Sequence, residues 1–123
     1  RASMLDIVLE KARDLGRLLG QTPEYQALSR ARARVGEDRE LAQLLNRLGE
    51  LEAELTGALE RGATPSEPVQ AEYERAFSTL QGNATYQGLV AAQANFEKVL
   101  ARVNAEIARG IEAGAQSRII LPS

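Results

Sequence analysis

The sequence predicts an all-α fold: an antiparallel helical bundle of about five helices with long third and fifth helices. Three observations lead to this fold class. Apolar residues recur at three- and four-residue spacing along most of the chain. No segment shows the apolar–polar alternation of a half-buried strand. Aromatic residues make up only 4% of the sequence, so the core must come from small aliphatic side chains, which suits the packing of helix on helix.

The length of 123 residues predicts a single helical domain, residues 1–123. The first three residues precede Met4 and are set aside as a candidate cloning remnant. The first helix is predicted from about Leu5 to Leu19, with Gly20 as its C-terminal stop. One apolar stripe defines it: Leu5, Val8, Leu9, Ala12, Leu15, Leu18 and Leu19.

A short second helix is predicted to begin after Thr22, the expected N-cap, and to end near Gly36. Asp38 is the expected N-cap of the third helix, along which leucines follow a heptad pattern. The pattern fits an intramolecular core or a seam shared between two chains, and a mixture is compatible with its width. The candidate oligomer or partner surface on this helix comprises Leu41, Leu44, Leu45, Leu48, Leu51 and Leu55.

The residues 62–68 are rich in Gly, Ser and Pro and predict an interhelix loop. Ser66 is the expected cap of a fourth helix that ends near Gln81, and Asn83 caps a fifth helix over about residues 84–113. From residue 115 to 123 we expect an extended tail, because the segment is β-branched and ends near a proline. Its apolar residues either cover an end of the bundle or dock on another subunit or partner: Ile119, Ile120 and Leu121.

Composition excludes several function classes. The sequence contains no Cys, His or Trp, so we predict no catalytic residues, no metal site, no cofactor and no enzymatic activity. A net charge of −2 gives no general attraction to nucleic acid or to anionic membranes. We find no signal peptide and no run long enough to span a membrane, and we expect a cytoplasmic protein.

Arginines at helical spacing form a candidate basic patch: Arg13, Arg17, Arg30 and Arg34. Guanidinium groups bind phosphate well. Aromatic stacking platforms are scarce nearby, however, and solvated faces paired with neighbouring acids explain these arginines better. Direct RNA binding through an Arg-rich face is therefore kept as an alternative function, and a helical oligomer of unassigned role as another.

The order of these features resembles the YlbF/YmcA family of small bacterial helical proteins, with the YheA-like branch included. The features that carry the resemblance are, in order, Pro23-Glu24-Tyr25, Asp38-Arg39-Glu40-Leu41, Leu80-Gln81-Gly82-Asn83 with Tyr86 and Leu89, Ala92 to Phe96, and Ser117-x-x-Ile120-x-Pro122. The resemblance covers nearly all of Met4–Ser123.

The resemblance implies an all-α fold, frequent dimerisation and no enzymatic activity. It implies an adaptor that joins proteins similar to YaaT, YmcA and YlbF in a complex working with the endoribonuclease RNase Y in mRNA maturation and decay. Such complexes influence competence, sporulation and biofilm formation, and some carry iron–sulfur clusters held by cysteines. We expect a homodimer, no membrane partner and no direct contact with nucleic acid.

Overall fold

The structure is a computed structural model that describes residues 2–120, with side chains described as far as residue 116. It confirms the all-α prediction, with five helices and no strand among the described residues. The third and fifth helices are the longest, as expected. The helices are α1 (Met4–Gly20), α2 (Pro23–Glu37), α3 (Arg39–Glu60), α4 (Glu67–Gly82) and α5 (Ala84–Ile120).

The four predicted N-caps begin their helices as expected. In each case the side-chain oxygen accepts a hydrogen bond from the backbone N–H three residues on, which satisfies a donor that the helix itself leaves unpaired. The donor–acceptor distances are 3.1 Å for Thr22 to Tyr25, 3.0 Å for Asp38 to Leu41, 3.4 Å for Ser66 to Val69 and 2.9 Å for Asn83 to Tyr86.

One feature of the first helix differs from prediction. Ser3 was set aside from the fold, but it is the N-cap of α1: its hydroxyl accepts from the Asp6 N–H, and the Asp6 carboxylate accepts from the Ser3 N–H, both at 3.1 Å. This reciprocal arrangement is a capping box. The second helix begins and ends close to the predicted residues, and with 15 residues α2 is the shortest of the five described helices.

The extended tail predicted from residue 115 is wrong over residues 115–120, where α5 continues as helix. The reason is the low cost of adding residues to an existing helix. Two β-branched residues cost only a few tenths of a kcal/mol each, and the nucleation penalty has already been overcome. The side chains of Ile119 and Ile120 lie outside the described part, as does Leu121.

The chain divides into two compact units. We call Arg1–Gln26 with Ala92–Ser123 the terminal unit, and Ala27–Ala91 the central unit. The terminal unit contains α1, the first turn of α2 and most of α5. The central unit contains the rest of α2, all of α3 and α4, and the start of α5. The single domain predicted from length stays a prediction.

An antiparallel hairpin of α3 and α4 forms the centre of the central unit. Leu41 and Leu48 on α3 and Leu80 on α4 are buried together, with Tyr73 and Tyr86 among the half-buried residues packed on them. The two helices are joined by the loop after Glu60, where Gly62 takes a φ of 71°. This left-handed conformation favours glycine, which has no Cβ to clash.

Candidate protein-interaction surfaces

The leucine heptad of α3 lies largely inside the chain. Leu41 and Leu51 have no exposed surface and Leu48 is buried, so in a single copy these three leucines belong to the chain's own core. Leu44 packs against the Leu41–Leu48–Leu80 cluster and is half-buried. Residues of α4 cover this part of the seam. A role of these leucines in an oligomer or partner surface stays a prediction.

Two other members of the predicted surface remain partly accessible. Leu45 is exposed at the edge of the seam, and Leu55 is half-buried. Farther along α3, Leu59 is also exposed. The seam is therefore wider than the chain covers, and a contribution of its edge to a partner surface stays a prediction.

An ion pair fixes α3 against α4 beside this core. Arg47 Nε donates to Glu72 Oε2 and Arg47 Nη2 donates to Glu72 Oε1, both at 2.6 Å. This two-pronged geometry suits a planar guanidinium and a carboxylate. Hydrogen bonds from Arg47 hold the pKa of Glu72 below its usual value, and those to Glu72 and Glu50 raise the pKa of Arg47 further above its already high value.

The α1 helix has no buried residue, although more than half of its residues are apolar. Leu5 is 63% exposed and Leu18 is 64% exposed, and Met4, Val8 and Leu9 are exposed as well. Sequence analysis identified this stripe without saying what covers it. In the structure the stripe is exposed except at Leu15 and Leu19, which are half-buried, and an exposed apolar face along one helix is typical of a protein-interaction site.

The C-terminal half of α5 also presents apolar side chains to solvent. Ile107 is exposed and Ile111 is 66% exposed. Nearer the start of the helix, Val99, Leu100 and Val103 are half-buried. Phe96 packs edge-on against Tyr25 of α2 with ring centroids 5.2 Å apart.

The four arginines of the candidate basic patch are all exposed. Arg17 forms an ion pair with Asp14 on its own helix. Arg13 and Arg17 belong to the terminal unit, whereas Arg30 and Arg34 belong to the central unit, so the structure describes two pairs separately. A single basic patch stays a prediction.

An open depression of about 510 Å³ lies beside the α3–α4 loop, lined by Glu54, Ala58, Arg61, Thr64, Ser66 and others. Its one carboxylate has no acidic partner across the cleft for acid–base chemistry. Among the described residues we find no group of three potential metal ligands. No described helix is long and apolar enough to cross a bilayer.

The exposed face of α1 was not among the interaction surfaces predicted from the sequence. A signal for it exists in the sequence: Met4 and Ile7 widen the stripe beyond the arc that one neighbouring helix covers. The heptad of α3 drew attention because its spacing is more regular. Regular spacing, however, does not distinguish a covered seam from an open one.

Known proteins share this architecture. A family model described as "Control of competence regulator ComK, YlbF/YmcA" matches residues 8–112. A UPF0342 protein of Streptococcus mutans serotype c is 30% identical over 86 residues, covering 70% of this chain and 76% of that protein. The crystal structure of Bacillus subtilis RicA in complex with RicF has a similar fold, with a TM-score of 0.76 and 14% identity, covering 88% of this chain and 96% of that one. The resemblance noted in the sequence is thereby confirmed: this chain belongs to the YlbF/YmcA family.

Proposed function

We propose that this chain is a non-catalytic adaptor that holds other proteins in a cytoplasmic complex, and that this complex modulates RNase Y-dependent mRNA processing. The open apolar face of α1 is the observation that carries the proposal. Leucine side chains that are more than half exposed add no hydrophobic stabilisation to the folded chain. Burying one such side chain against a partner stabilises a complex by roughly 1.5–3 kcal/mol.

Family membership supports the same role. The family model is described by control of a competence regulator, a regulatory rather than a catalytic function. RicA, which shares the fold, was crystallised with a protein partner, RicF. The links to RNase Y, to proteins similar to YaaT, and to sporulation and biofilm formation are carried over from the family as part of this proposal.

Iron–sulfur clusters of the kind found in some related complexes do not fit this chain. Such clusters are held by cysteine thiolates, with histidine as an occasional substitute, and the whole sequence contains neither residue. The adaptor role we propose therefore involves protein contacts alone.

We propose further that the chain associates with a second copy of itself, as a dimer. A folded monomer seldom leaves a large continuous apolar face in water, and the terminal unit leaves apolar side chains exposed along α1 and at Ile107 and Ile111 of α5. A stable interface buries about 800 Å² on each partner, which two helices several turns long can supply.

The test uses two matched double variants of α1. Leu5→Gln with Val8→Gln makes the open face polar, and Glu10→Gln with Arg13→Gln changes the polar face without altering net charge. We expect the first variant to lose binding to purified partners of the YaaT and YmcA type, and to leave RNase Y-dependent transcripts unprocessed in cells. The second should behave as the wild type, and circular dichroism should show equal helicity in both.

Three results would contradict the proposal. One is full partner binding by the Leu5→Gln, Val8→Gln variant. Another is normal transcript processing in cells that lack the chain. The third is tight RNA binding by the purified chain with a steep inverse dependence on salt, since that is the behaviour of a protein that contacts phosphates directly.

A further inference from the structure

Two apolar faces of the terminal unit, each exposed at one end and half-buried at the other, have the residue spacing of a coiled-coil seam. Steps of three and four residues alternate along each, as in a heptad repeat. The α1 seam spans about 21 Å at a rise of 1.5 Å per residue. It comprises Leu5, Val8, Ala12, Leu15 and Leu19, and the α5 seam comprises Phe96, Leu100, Val103, Ile107, Gly110 and Gly114.

The two seams match when α1 and α5 are placed antiparallel with Val8 opposite Ile107. In an antiparallel pair of helices, position a of one heptad faces position d of the other. Every layer is then apolar, and Leu5 meets Gly110, beside which the structure has open space within 4 Å. The layers are Leu5–Gly110, Val8–Ile107, Ala12–Val103, Leu15–Leu100 and Leu19–Phe96.

The positions that flank the seam add a charge match in this register. Lys11 comes to lie opposite Glu106, and Leu18 opposite Val99. Lys11 forms no ion pair with any residue that the structure describes. Glu106 binds Arg109 of its own helix through Oε2, which leaves Oε1 to accept from a second cation.

Other pairings of the same faces are less favourable. Sliding α5 by one heptad places Glu106 against either Leu18 or Met4, which would bury a carboxylate beside an apolar side chain. A parallel arrangement places Lys11 against Ile111. The charge match therefore selects one register of one orientation.

Pairing either face with its own copy brings like charges together. Two α1 helices in full antiparallel overlap place Lys11 opposite the second copy's Lys11, and two α5 helices with their apolar layers aligned place Glu106 opposite the second copy's Glu106. Like charges at facing positions of a helix pair select against it. The pattern favours α1 on α5.

We propose that α1 of one copy docks antiparallel on α5 of a second copy, in the register that places Lys11 opposite Glu106. This inference rests on the proposed self-association and specifies its interface. The occupant is a second copy because one copy leaves the outer layers of both faces uncovered, with Leu5, Val8 and Ile107 all exposed, and a second copy carries the complementary face for each. The layers at the other end of the seams are already half-buried within one copy. Twofold symmetry makes the contact twice in each dimer.

Cross-linking tests the register. Because the sequence has no Cys, an introduced cysteine supplies the only thiol of its chain. Leu9 and Asn104 face each other across the other flank of the seam and leave the Lys11–Glu106 pair intact. We expect a short bis-maleimide to join Leu9→Cys and Asn104→Cys chains when the two variants are mixed. Glu10→Cys, on the opposite face of α1, is the matched control and should not cross-link with Asn104→Cys.

The outcomes separate this inference from the proposed self-association. Covalent dimers of Leu9→Cys alone would indicate α1 paired with α1. A double variant, Leu9→Cys with Asn104→Cys, that cross-links only within one chain would indicate closure of the chain on itself. Either result overturns the inference. A dimer in sedimentation without the mixed cross-link overturns it and leaves self-association standing, whereas a monomer at micromolar concentration overturns both.

Charge reversal gives a second measurement that does not depend on cross-linking. Lys11→Glu should weaken dimerisation about tenfold at low salt, because two contacts per dimer become repulsive. Adding Glu106→Lys should restore the affinity to within about threefold of wild type. Equal affinity for all variants, or no rescue in the double variant, would contradict the pairing of Lys11 with Glu106.

Discussion

Replacing Leu41 by alanine tests whether the leucine heptad of α3 is the chain's own core. Leu41 has 0% exposed surface and packs with Leu48 and Leu80. Three carbon groups are lost, at about 0.8 kcal/mol each, which gives roughly 2.4 kcal/mol. The cavity left behind adds to this, and we expect a total loss of about 3–4 kcal/mol in the free energy of unfolding.

Urea denaturation followed by circular dichroism measures this loss. The midpoint should fall with an unchanged m-value, because the surface exposed on unfolding stays nearly the same. Leu59→Ala is the matched control: it lies on the same helix but is 69% exposed, and it should cost less than about 1 kcal/mol.

The same experiment distinguishes a core from a seam between copies. Loss of a core contact lowers stability at every protein concentration, whereas loss of an interface contact weakens dimerisation and makes the effect depend on concentration. A Leu41→Ala variant as stable as Leu59→Ala, or one that is only less dimeric, would refute the assignment of Leu41 to the core.

The remaining predictions concern single positions in the central unit. Gly49→Ala should raise the melting temperature, with a gain of about 0.5–1 kcal/mol, because a Cβ there meets open space; Gly57→Ala should gain less, because a neighbouring arginine side chain lies 3.2 Å from its Cβ position. Asp38→Ala should cost about 1 kcal/mol in urea denaturation by removing the N-cap of α3. Glu72→Gln should lower stability at neutral pH by breaking the pair with Arg47. Because the folded-state pKa of Glu72 lies below its usual value of 4.5, the difference between wild type and variant should stay constant above pH 4.5 and shrink as the pH falls through the folded-state pKa; a difference that does not change with pH would contradict the pairing.

Helix boundaries were largely predictable from the sequence because caps act locally. Thr22, Asp38, Ser66 and Asn83 each satisfy a backbone donor only three residues away, so the signal and the structure it makes lie in one short segment. The boundary at residue 115 was wrong for the complementary reason. Helix propagation from thirty preceding residues of α5 outweighed the weak local preference of the isoleucines for extended backbone.

The burial of the apolar stripes was harder to predict, because the spacing of a stripe does not show which helix, if any, packs against it. The heptad of α3 and the stripe of α1 look equally apolar in sequence. In the structure α4 packs against the first and buries Leu41 and Leu48, whereas no residue of α1 is buried. The exposed face of α1 is therefore added to the candidate interaction surfaces, and the surface predicted on α3 stays a prediction.

The sequence alone determined that this protein is helical, where most helices begin, and that Cys- or His-based chemistry is closed to it, because capping, periodicity and the absence of a residue type are properties of short segments and of composition. Only the tertiary structure decided which apolar faces the chain covers itself and which it leaves exposed. That choice depends on contacts between residues far apart in the chain, such as Leu41 with Leu80, and each such contact must compensate the conformational entropy lost in ordering both helices.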